Sequence, residues 1–304
     1  MKIGYFPGCS LTGSSREYSE SLLAVLKKCG VETVELSDWN CCGATAAHNV
    51  DRELAISLSA RILAIAENSG FNDVLVPCSA CYSRLVTARH ELSGDPGLME
   101  RVSEIIKMKY TGTAVPLNVI EAIDKYAINS IKEKIAKPFA HKVACYYGCL
   151  MVRPPKVVNF DRPEDPVKMD EMMKVIGADP VSWAFKTECC GAGFSISRTD
   201  TVARLSSKIM VNAEKSGAEA IIVACPMCHV NLDMRRDYIE AYAGKKFDMP
   251  VLYVTQAIGL ALGIDRQELG LHRHFQSSEI SEKASLAPAA PCHNDPPTGA
   301  SAEE

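Results

Sequence analysis

The sequence lacks any long hydrophobic run. No stretch approaches the roughly 18 consecutive apolar residues of a transmembrane helix, and the opening "MKIGYFPGCS" contains no apolar run typical of a signal peptide. It also lacks a strong excess of either charge, because the net charge is only -4. Nothing here favours a nucleic-acid or membrane-surface partner. We therefore expect a cytoplasmic protein with no membrane insertion and no nucleic-acid partner.

The length and composition are those of a folded, soluble chain. With 304 residues, 47% apolar and 23% charged, the chain is long for one domain and sufficient for two. The last segment is different, because "SLAPAAPCHNDPPTGASAEE" is rich in Ser, Ala and Pro and cannot bury a core. We predict a disordered tail over residues 276–304.

Cysteine is the abundant residue, with thirteen copies. A reducing cytosol disfavours a disulfide framework, and cysteines there more often bind metal. Ten of the thirteen fall into two sets with the shared order C, CC, C-x2-C. The first set is Cys9, Cys41, Cys42, Cys78 and Cys81; the second is Cys149, Cys189, Cys190, Cys225 and Cys228. The other three read as apolar filler (Cys29), core (Cys145) and tail (Cys292).

The sequence between the cysteines indicates a duplication. "LSARILAIAENSG" and "LSSKIMVNAEKSG" share seven identities, and each leads through a short apolar run into its C-x2-C. The openings "YFPGC" and "YYGC" pair Cys9 with Cys149 rather than with Cys145. We predict a first domain over residues 1–135, which includes a charged helical connection at Leu98–Lys134, and a second domain over residues 136–275.

Within a copy, predicted strands and helices alternate. The first copy reads as strand, helix, strand, helix, strand over "KIGYF", Ser15–Lys28, "VETVEL", Asp51–Asn68 and Val74–Val76. This alternation predicts the α/β class, with two pseudo-symmetric duplicated α/β domains and mostly parallel sheets. The cysteines then lie at the C-terminal ends of strands, where open α/β sheets place their ligands.

The cysteine spacing favours an iron–sulfur centre over zinc. Structural zinc takes four ligands, usually from two short knuckles, and a cubane 4Fe-4S cluster takes four cysteines, usually in a tight local run. Each set here supplies five thiols spread over about seventy residues. The glycine after each CC pair can adopt positive φ and turn the chain around a metal, and a thiolate is favoured at a helix N-terminus. Zinc remains the alternative.

The motifs resemble those of a known family. "YFPGCSL", "DWNCCGA", "PCSACYSRL", "ACYYGCLMVRPP" and "CPMCHVNLDMRR" are similar to the cysteine-rich CCG domains, and above all to the B-type subunit of heterodisulfide reductase. The resemblance implies two noncubane 4Fe-4S clusters, each bound by five cysteines of one set. It also implies reduction of a mixed disulfide, of the coenzyme M–coenzyme B type, to two thiols. The implied heterodisulfide reductase partners are the C-type subunit, which carries iron–sulfur clusters, and the A-type subunit, which carries flavin.

The resemblance leaves a second function open. Related CCG domains serve as electron-transfer or anchoring subunits of quinone- or hydroxyacid-linked dehydrogenases. This chain lacks the C-x2-C-x2-C-x3-CP run of a fused ferredoxin segment. Disulfide reduction takes two electrons, and two one-electron centres could each take one sulfur, which favours the reductase.

Two kinds of side chain are candidates for supporting roles. His229 directly follows a cluster cysteine and is a candidate catalytic proton donor, although its counterpart in the first copy is Tyr82. A substrate that carries sulfonate, phosphate and carboxylate groups would require fixed cations. The substrate-binding candidates are Arg84 and Arg153, followed by Lys156, Arg235 and Arg236. For all of them an ordinary surface or structural role is the alternative.

Overall fold

The computed structural model describes residues 1–44 and 47–280, without the side chain of His48. Within these residues, eight strands form two four-stranded sheets in which every pairing is parallel. The strands are β1 (Lys2–Tyr5), β2 (Glu32–Glu35), β3 (Asp73–Leu75), β4 (Val115–Leu117), β5 (Lys142–Tyr146), β6 (Asp179–Pro180), β7 (Ala220–Val223) and β8 (Val251–Tyr253). The predicted α/β class with parallel sheets is confirmed.

Helices connect the strands and cover the sheets. They are α1 (Gly8–Thr12), α2 (Arg16–Lys28), α3 (Ala47–Val50), α4 (Arg52–Asn68), α5 (Ser79–Gly94), α6 (Pro96–Ile106), α7 (Val119–Tyr126), α8 (Ile128–Lys134), α9 (Lys168–Val175), α10 (Thr199–Lys215), α11 (Pro226–Leu232), α12 (Arg236–Ala243) and α13 (Val254–Ala261). Short 3-10 turns lie at Ala192–Phe194 and Leu271–Arg273. Among the described residues, no helix is both long and apolar enough to cross a bilayer.

The two sheets repeat one topology. The first has the strand order β2-β1-β3-β4 and the second β6-β5-β7-β8, so the first strand of each half lies between the second and the third. The β7 strand is fully buried, as expected for a parallel sheet with both faces covered. The structure thus confirms the duplication predicted from the cysteine pattern.

The connection between the copies differs from its prediction. The sequence predicts helix throughout Leu98–Lys134, but Val115–Leu117 is β4, the edge strand of the first sheet, paired in parallel with β3. Three residues are too few to show a strand period, and Pro116 obscures the pattern further. A proline is compatible with this place because an edge strand needs fewer backbone donors.

Aromatic and hydroxyl side chains join the two halves. The Tyr18 ring of α2 stacks on Tyr253 at the end of β8, with ring centroids 4.1 Å apart. The Tyr18 hydroxyl donates to the Ala224 carbonyl at 3.1 Å, and Ser21 and Thr255 share a hydrogen bond of 2.7 Å. All of these contacts are buried. The halves therefore pack against each other along α2, β8 and α13, and this packing sets the relative position of their cysteines.

The first residues of the predicted tail pack against the second half. The backbone amide of Gln276 donates to the Asp233 carboxylate at 3.2 Å, and the Arg266 side chain donates to the Ser278 carbonyl at 3.3 Å. The rest of the predicted tail, with Cys292, lies outside the described residues.

Candidate metal centres

Each set of five cysteines comes from the loops that follow the first three strands of its sheet. Cys9 lies in α1 after β1, the CC pair lies in the loop after β2, Cys78 precedes α5 and Cys81 lies in its first turn. The second half repeats this plan after β5, β6 and β7, with Cys225 and Cys228 at the start of α11. Because the strands are parallel, their C-terminal ends share one edge of the sheet. The fold therefore collects distant cysteines at that edge.

In the first half, the thiols contact one another. The Sγ atoms of Cys42 and Cys81 lie 3.2 Å apart. Cys42 also raises the pKa of Cys41, and Cys42 and Cys78 raise that of Cys81, so these thiols lie close together as well. Cys42, Cys78 and Cys81 are buried, whereas Cys9 and Cys41 are exposed. The first site is thus a buried group of three thiols with two more at its opening.

The second half repeats the arrangement. The Sγ atoms of Cys190 and Cys228 lie 3.6 Å apart. Cys189 raises the pKa of Cys149, and Cys190 and Cys225 raise that of Cys228, so these thiols lie close together as well. Cys190, Cys225 and Cys228 are buried, and Cys189 is exposed. Both sites therefore offer a closed inner side and an open outer side.

Glycines make room for the sulfur atoms. Gly8 and Gly148, which directly precede the first cysteine of each set, have φ of +63° and +68°. A Cβ atom would lie 3.2 Å from the Cys81 sulfur at Gly8 and 2.9 Å from the Cys228 sulfur at Gly148. Only glycine combines this backbone conformation with so close an approach. The two positions are part of the cradle that surrounds the thiols.

Backbone amides also face the sulfur atoms. The Gly43 amide donates to Cys41 Sγ at 3.4 Å, and the Gly191 amide donates to Cys189 Sγ at 3.3 Å. These glycines have φ of +79° and +83°, as predicted for the residue after each CC pair. Such bonds stabilise sulfur that carries negative charge.

The thiols perturb one another's ionisation. The neighbouring Cys42 thiol raises the pKa of Cys41, while Cys41 and Cys81 lower the pKa of Cys42 to about 3. Likewise, Cys189 raises the pKa of Cys149, while Cys149 lowers the pKa of Cys189 to about 6. Thiols this close cannot all ionise unless a cation compensates their charge. A soft, five-sulfur donor set of this kind fits an iron–sulfur group.

The two sites meet where the halves join. The Cys225 thiol of the second set raises the pKa of the Cys78 thiol of the first, and Cys228 and Cys78 lower that of Cys225, so the Cys78 and Cys225 thiols lie close together. Beside them, the Ser10 hydroxyl contacts Met227 Sδ at 3.9 Å. Because each of the two thiols is the first cysteine of a C-x2-C, the pseudo-symmetry places both sites at the same interface. No sequence pattern indicates this contact, since it depends on how α2, β8 and α13 pack.

His229 lies beside the second site but faces away from solvent. Its ring is buried and stacks on Tyr253, with centroids 4.2 Å apart. Nε2 lies 3.1 Å from the Val251 carbonyl and therefore carries the ring hydrogen. Burial holds the pKa of His229 well below its usual value, so the ring is neutral. The role of His229 as a proton donor stays a prediction. The test is an iron-replete His229→Gln variant, whose kcat should fall at least about a hundredfold if the ring donates a proton in the reaction.

The candidate substrate cations occupy three kinds of place. Arg84 lines a surface cleft with Arg52 and Glu91, and Arg153 is half-buried and paired with Glu164 at 3.0 Å. Lys156 is exposed. Binding of substrate by Arg84 or Arg153 stays a prediction.

The remaining two candidate cations, Arg235 and Arg236, form hydrogen bonds to backbone carbonyls of the second half. Arg236 is 1% exposed and donates to the carbonyls of Leu232, Phe247 and Met249. The prediction that Arg236 can contact substrate is therefore wrong, because its guanidinium is used inside the fold. Arg235 donates to the Ser195 carbonyl and so holds the loop that follows the second CC pair.

Two residues beside the second site, Asn231 and Ser195, are not marked as functional by any motif in the sequence. The Asn231 amide donates to Cys190 Sγ at 3.6 Å and to the Cys190 carbonyl at 3.0 Å. Ser195 donates to the Asn231 side-chain oxygen at 2.8 Å. Only alignment of the two copies distinguishes this position, because the first copy has Arg84 there.

Known proteins share this pattern. The sequence matches the Cysteine-rich domain (CCG) twice, over residues 3–86 and 143–233. In fold, the chain is similar to a hypothetical protein from Helicobacter pylori with a TM-score of 0.73 and 14% identity. That match covers 91% of this chain and 52% of the other, so this chain spans about half of that protein's length.

Full-length relatives are more informative. The chain is 32% identical to the 8-methylmenaquinol:fumarate reductase membrane anchor subunit of Wolinella succinogenes, over 90% of this chain and 96% of that protein. It is 31% identical to the B-type subunit of the ferredoxin/F(420)H(2)-dependent CoB-CoM heterodisulfide reductase of Methanosarcina acetivorans, over 93% and 96%. Together with the two domain matches and the duplicated sheets, these identities show that the chain belongs to the cysteine-rich CCG domain family, with two copies of the domain, and that it is related to the B-type subunit of heterodisulfide reductase.

Proposed function

We propose that this chain is the catalytic iron–sulfur subunit of a heterodisulfide reductase complex, in which it reduces a mixed disulfide to two thiols. The observation that carries the proposal is the meeting of two five-cysteine sites at one interface, where the Cys78 and Cys225 thiols are close enough to shift each other's pKa. A single electron relay requires only one centre. Two adjacent centres match a reaction that takes two electrons.

The proposed reaction is balanced by two electrons and two protons. The sulfur–sulfur bond of the disulfide breaks, each sulfur gains one electron and one proton, and two thiols leave. When bound, the iron–sulfur groups supply the one-electron steps. The chain itself contributes the thiolate ligands, the backbone amides of Gly43 and Gly191 that face them, and the open side marked by Cys9, Cys41 and Cys189.

The finer features of the proposal concern the clusters and their partners. Five thiols per site exceed the four that a cubane cluster requires, which supports the noncubane 4Fe-4S type. The Methanosarcina relatives support a substrate of the coenzyme M–coenzyme B type and a complex with subunits that deliver electrons. We assign those roles to the C-type iron–sulfur subunit and the A-type flavin-bearing subunit of heterodisulfide reductase, and we place the complex in the cytoplasm.

A disulfide-reduction assay tests the proposal. Anaerobically purified protein is mixed with a reduced viologen dye and the coenzyme M–coenzyme B disulfide, and dye oxidation is followed. Cys78→Ala and Cys225→Ala should each abolish turnover. Cys29→Ala and Cys145→Ala are the matched controls, because neither cysteine belongs to a set, and both should retain activity. Iron-replete protein that fails to oxidise the dye with any mixed disulfide offered as acceptor would refute the proposal.

One observation favours a second function. The Wolinella relative is named as a membrane anchor subunit, so this chain could instead link a dehydrogenase to a quinone pool. In that case a short-chain menaquinol would reduce the iron–sulfur centres of the purified complex, and a thiol would leave their spectra unchanged. The opposite pair of results supports the reductase.

A further inference from the structure

The second centre has a buried amide at one of its sulfur atoms, and the first centre has a different residue at the matching position. Asn231 is 0% exposed, and its Nδ2 lies 3.6 Å from Cys190 Sγ and 3.0 Å from the Cys190 carbonyl. The corresponding residue, three positions after the last cysteine of the first set, is Arg84. Arg84 lies in a surface cleft. Among the described residues, no side-chain amide donates to Cys42, the counterpart of Cys190.

The orientation of the Asn231 amide is fixed by the Cys190 carbonyl, which can only accept a hydrogen bond and therefore faces the nitrogen end of the amide. The Ser195 hydroxyl donates to Asn231 Oδ1 at 2.8 Å and holds the opposite end. Ser195 is itself buried, and Arg235 holds its carbonyl. A reversed amide would direct its oxygen at both the sulfur and the carbonyl of Cys190, and it would lose the hydrogen bond to that carbonyl. The arrangement therefore presents a donor, rather than an acceptor, to the Cys190 sulfur.

The other contacts of Cys190 follow the symmetry of the fold. Ser206 donates to the Cys190 carbonyl at 3.1 Å, and Ser59 donates to the Cys42 carbonyl at 3.3 Å. Those serines position the two CC loops in the same way. The contact from Asn231 to the sulfur has no such counterpart in the described part of the first site, so it is not needed merely to fold the loop.

From these contacts we propose that Asn231 is a positioning residue that raises the reduction potential of the second iron–sulfur centre, and that Ser195 acts through it. A hydrogen bond to a cluster sulfur stabilises the electron-rich reduced state, and such bonds are one of the determinants of cluster potential. Within the described residues the first centre has no equivalent device, so Asn231 makes the two sites electronically different despite their matching folds. This inference rests on the proposed function only in that the second set must hold an iron–sulfur group.

A redox titration of the full-length, iron-replete protein, monitored by EPR, tests the inference. In Asn231→Leu, the potential of the second centre should fall, with at least about a tenfold change in its reduction equilibrium, or ~59 mV for a one-electron couple. The potential of the first centre should not change and serves as the internal reference. Asn212→Leu is the matched control, because Asn212 makes a similar amide bond to a backbone carbonyl of α10, away from every cysteine of the second set.

A second variant keeps the test decisive if Asn231→Leu fails to hold its cluster. Ser195→Ala retains the amide but removes the hydrogen bond that holds its oxygen end, so the potential of the second centre should fall in the same direction by a smaller amount. In the double variant the shift should equal that of Asn231→Leu, because Ser195 acts only through Asn231. An unchanged potential in iron-replete Asn231→Leu, or in Ser195→Ala, would overturn the inference. A lack of iron in the wild-type protein would instead refute the proposed function.

Discussion

Gly148 offers a sharp test of the cysteine cradle. In Gly148→Ala the new Cβ would lie 2.9 Å from the Cys228 sulfur, more than half an ångström inside the roughly 3.5 Å optimum for non-bonded atoms. Metal–ligand distances tolerate deviations of only about 0.2 Å. Since Cys228 lies on α11, packed against the β7 strand, it cannot retreat without moving the helix. We expect the second centre to be lost and the first to remain.

The assay is iron and acid-labile sulfide per chain after anaerobic reconstitution. The wild type should hold about eight irons and Gly148→Ala about four, as two clusters and one cluster of the 4Fe-4S type require. Gly217→Ala is the control, because Gly217 has a similar φ of +79° but nothing within 4 Å of the added Cβ. It should cost only the ~1–2 kcal/mol of left-handed backbone strain and keep all its iron. Wild-type iron in Gly148→Ala would refute the cradle.

Three further predictions concern stability. Arg236→Met should lower the free energy of unfolding by about 3 kcal/mol, because three backbone carbonyls lose a buried cationic donor; thermal denaturation checks this against the exposed Arg204→Met, which should change little. Tyr18→Phe should cost about 1 kcal/mol by removing a buried hydrogen bond between the halves, whereas the exposed Tyr242→Phe should cost nothing measurable, and equal effects would contradict the account of this interface. Burial raises the pKa of Glu67, but three backbone amides and one hydroxyl donate to its carboxylate and lower the pKa overall. The stabilisation that the ionised Glu67 carboxylate gives the folded state is therefore present above the unfolded pKa near 4.3 and is lost as the pH falls through the lower folded pKa. The difference in unfolding free energy between wild type and Glu67→Gln, measured by urea denaturation, should shrink from pH 7 to about pH 3.

The gathering of the two cysteine sets is predictable because the spacing of the cysteines themselves shows the repeat. Spacing assigns Cys9 and Cys149 to equivalent positions, and strand–helix alternation predicts that each set gathers at the ends of parallel strands. Cys145, displaced by four residues from the repeat, is predicted to be core and is 0% exposed. Here the periodicity and the topology rule for parallel sheets are sufficient.

The remainder depends on packing between distant segments. The sequence predicts helix at β4 because three residues with a central proline show no strand period. The Cys78–Cys225 contact depends on the Tyr18–Tyr253 stack, whose partners are 235 residues apart in sequence. The charge of Arg236 suggests an exposed side chain that binds substrate, whereas its guanidinium is buried and donates hydrogen bonds to three backbone carbonyls. No local pattern encodes such contacts.

We propose that both cysteine sets hold iron–sulfur centres at which a disulfide is reduced. The most direct test is iron and sulfide content together with EPR, on anaerobically purified protein, with and without a coenzyme M thiol. The account predicts about eight irons per chain and a new signal in the oxidised state when the thiol is added. About four irons, zinc in place of iron, or eight irons whose EPR signals do not change when the thiol is added would contradict this proposal.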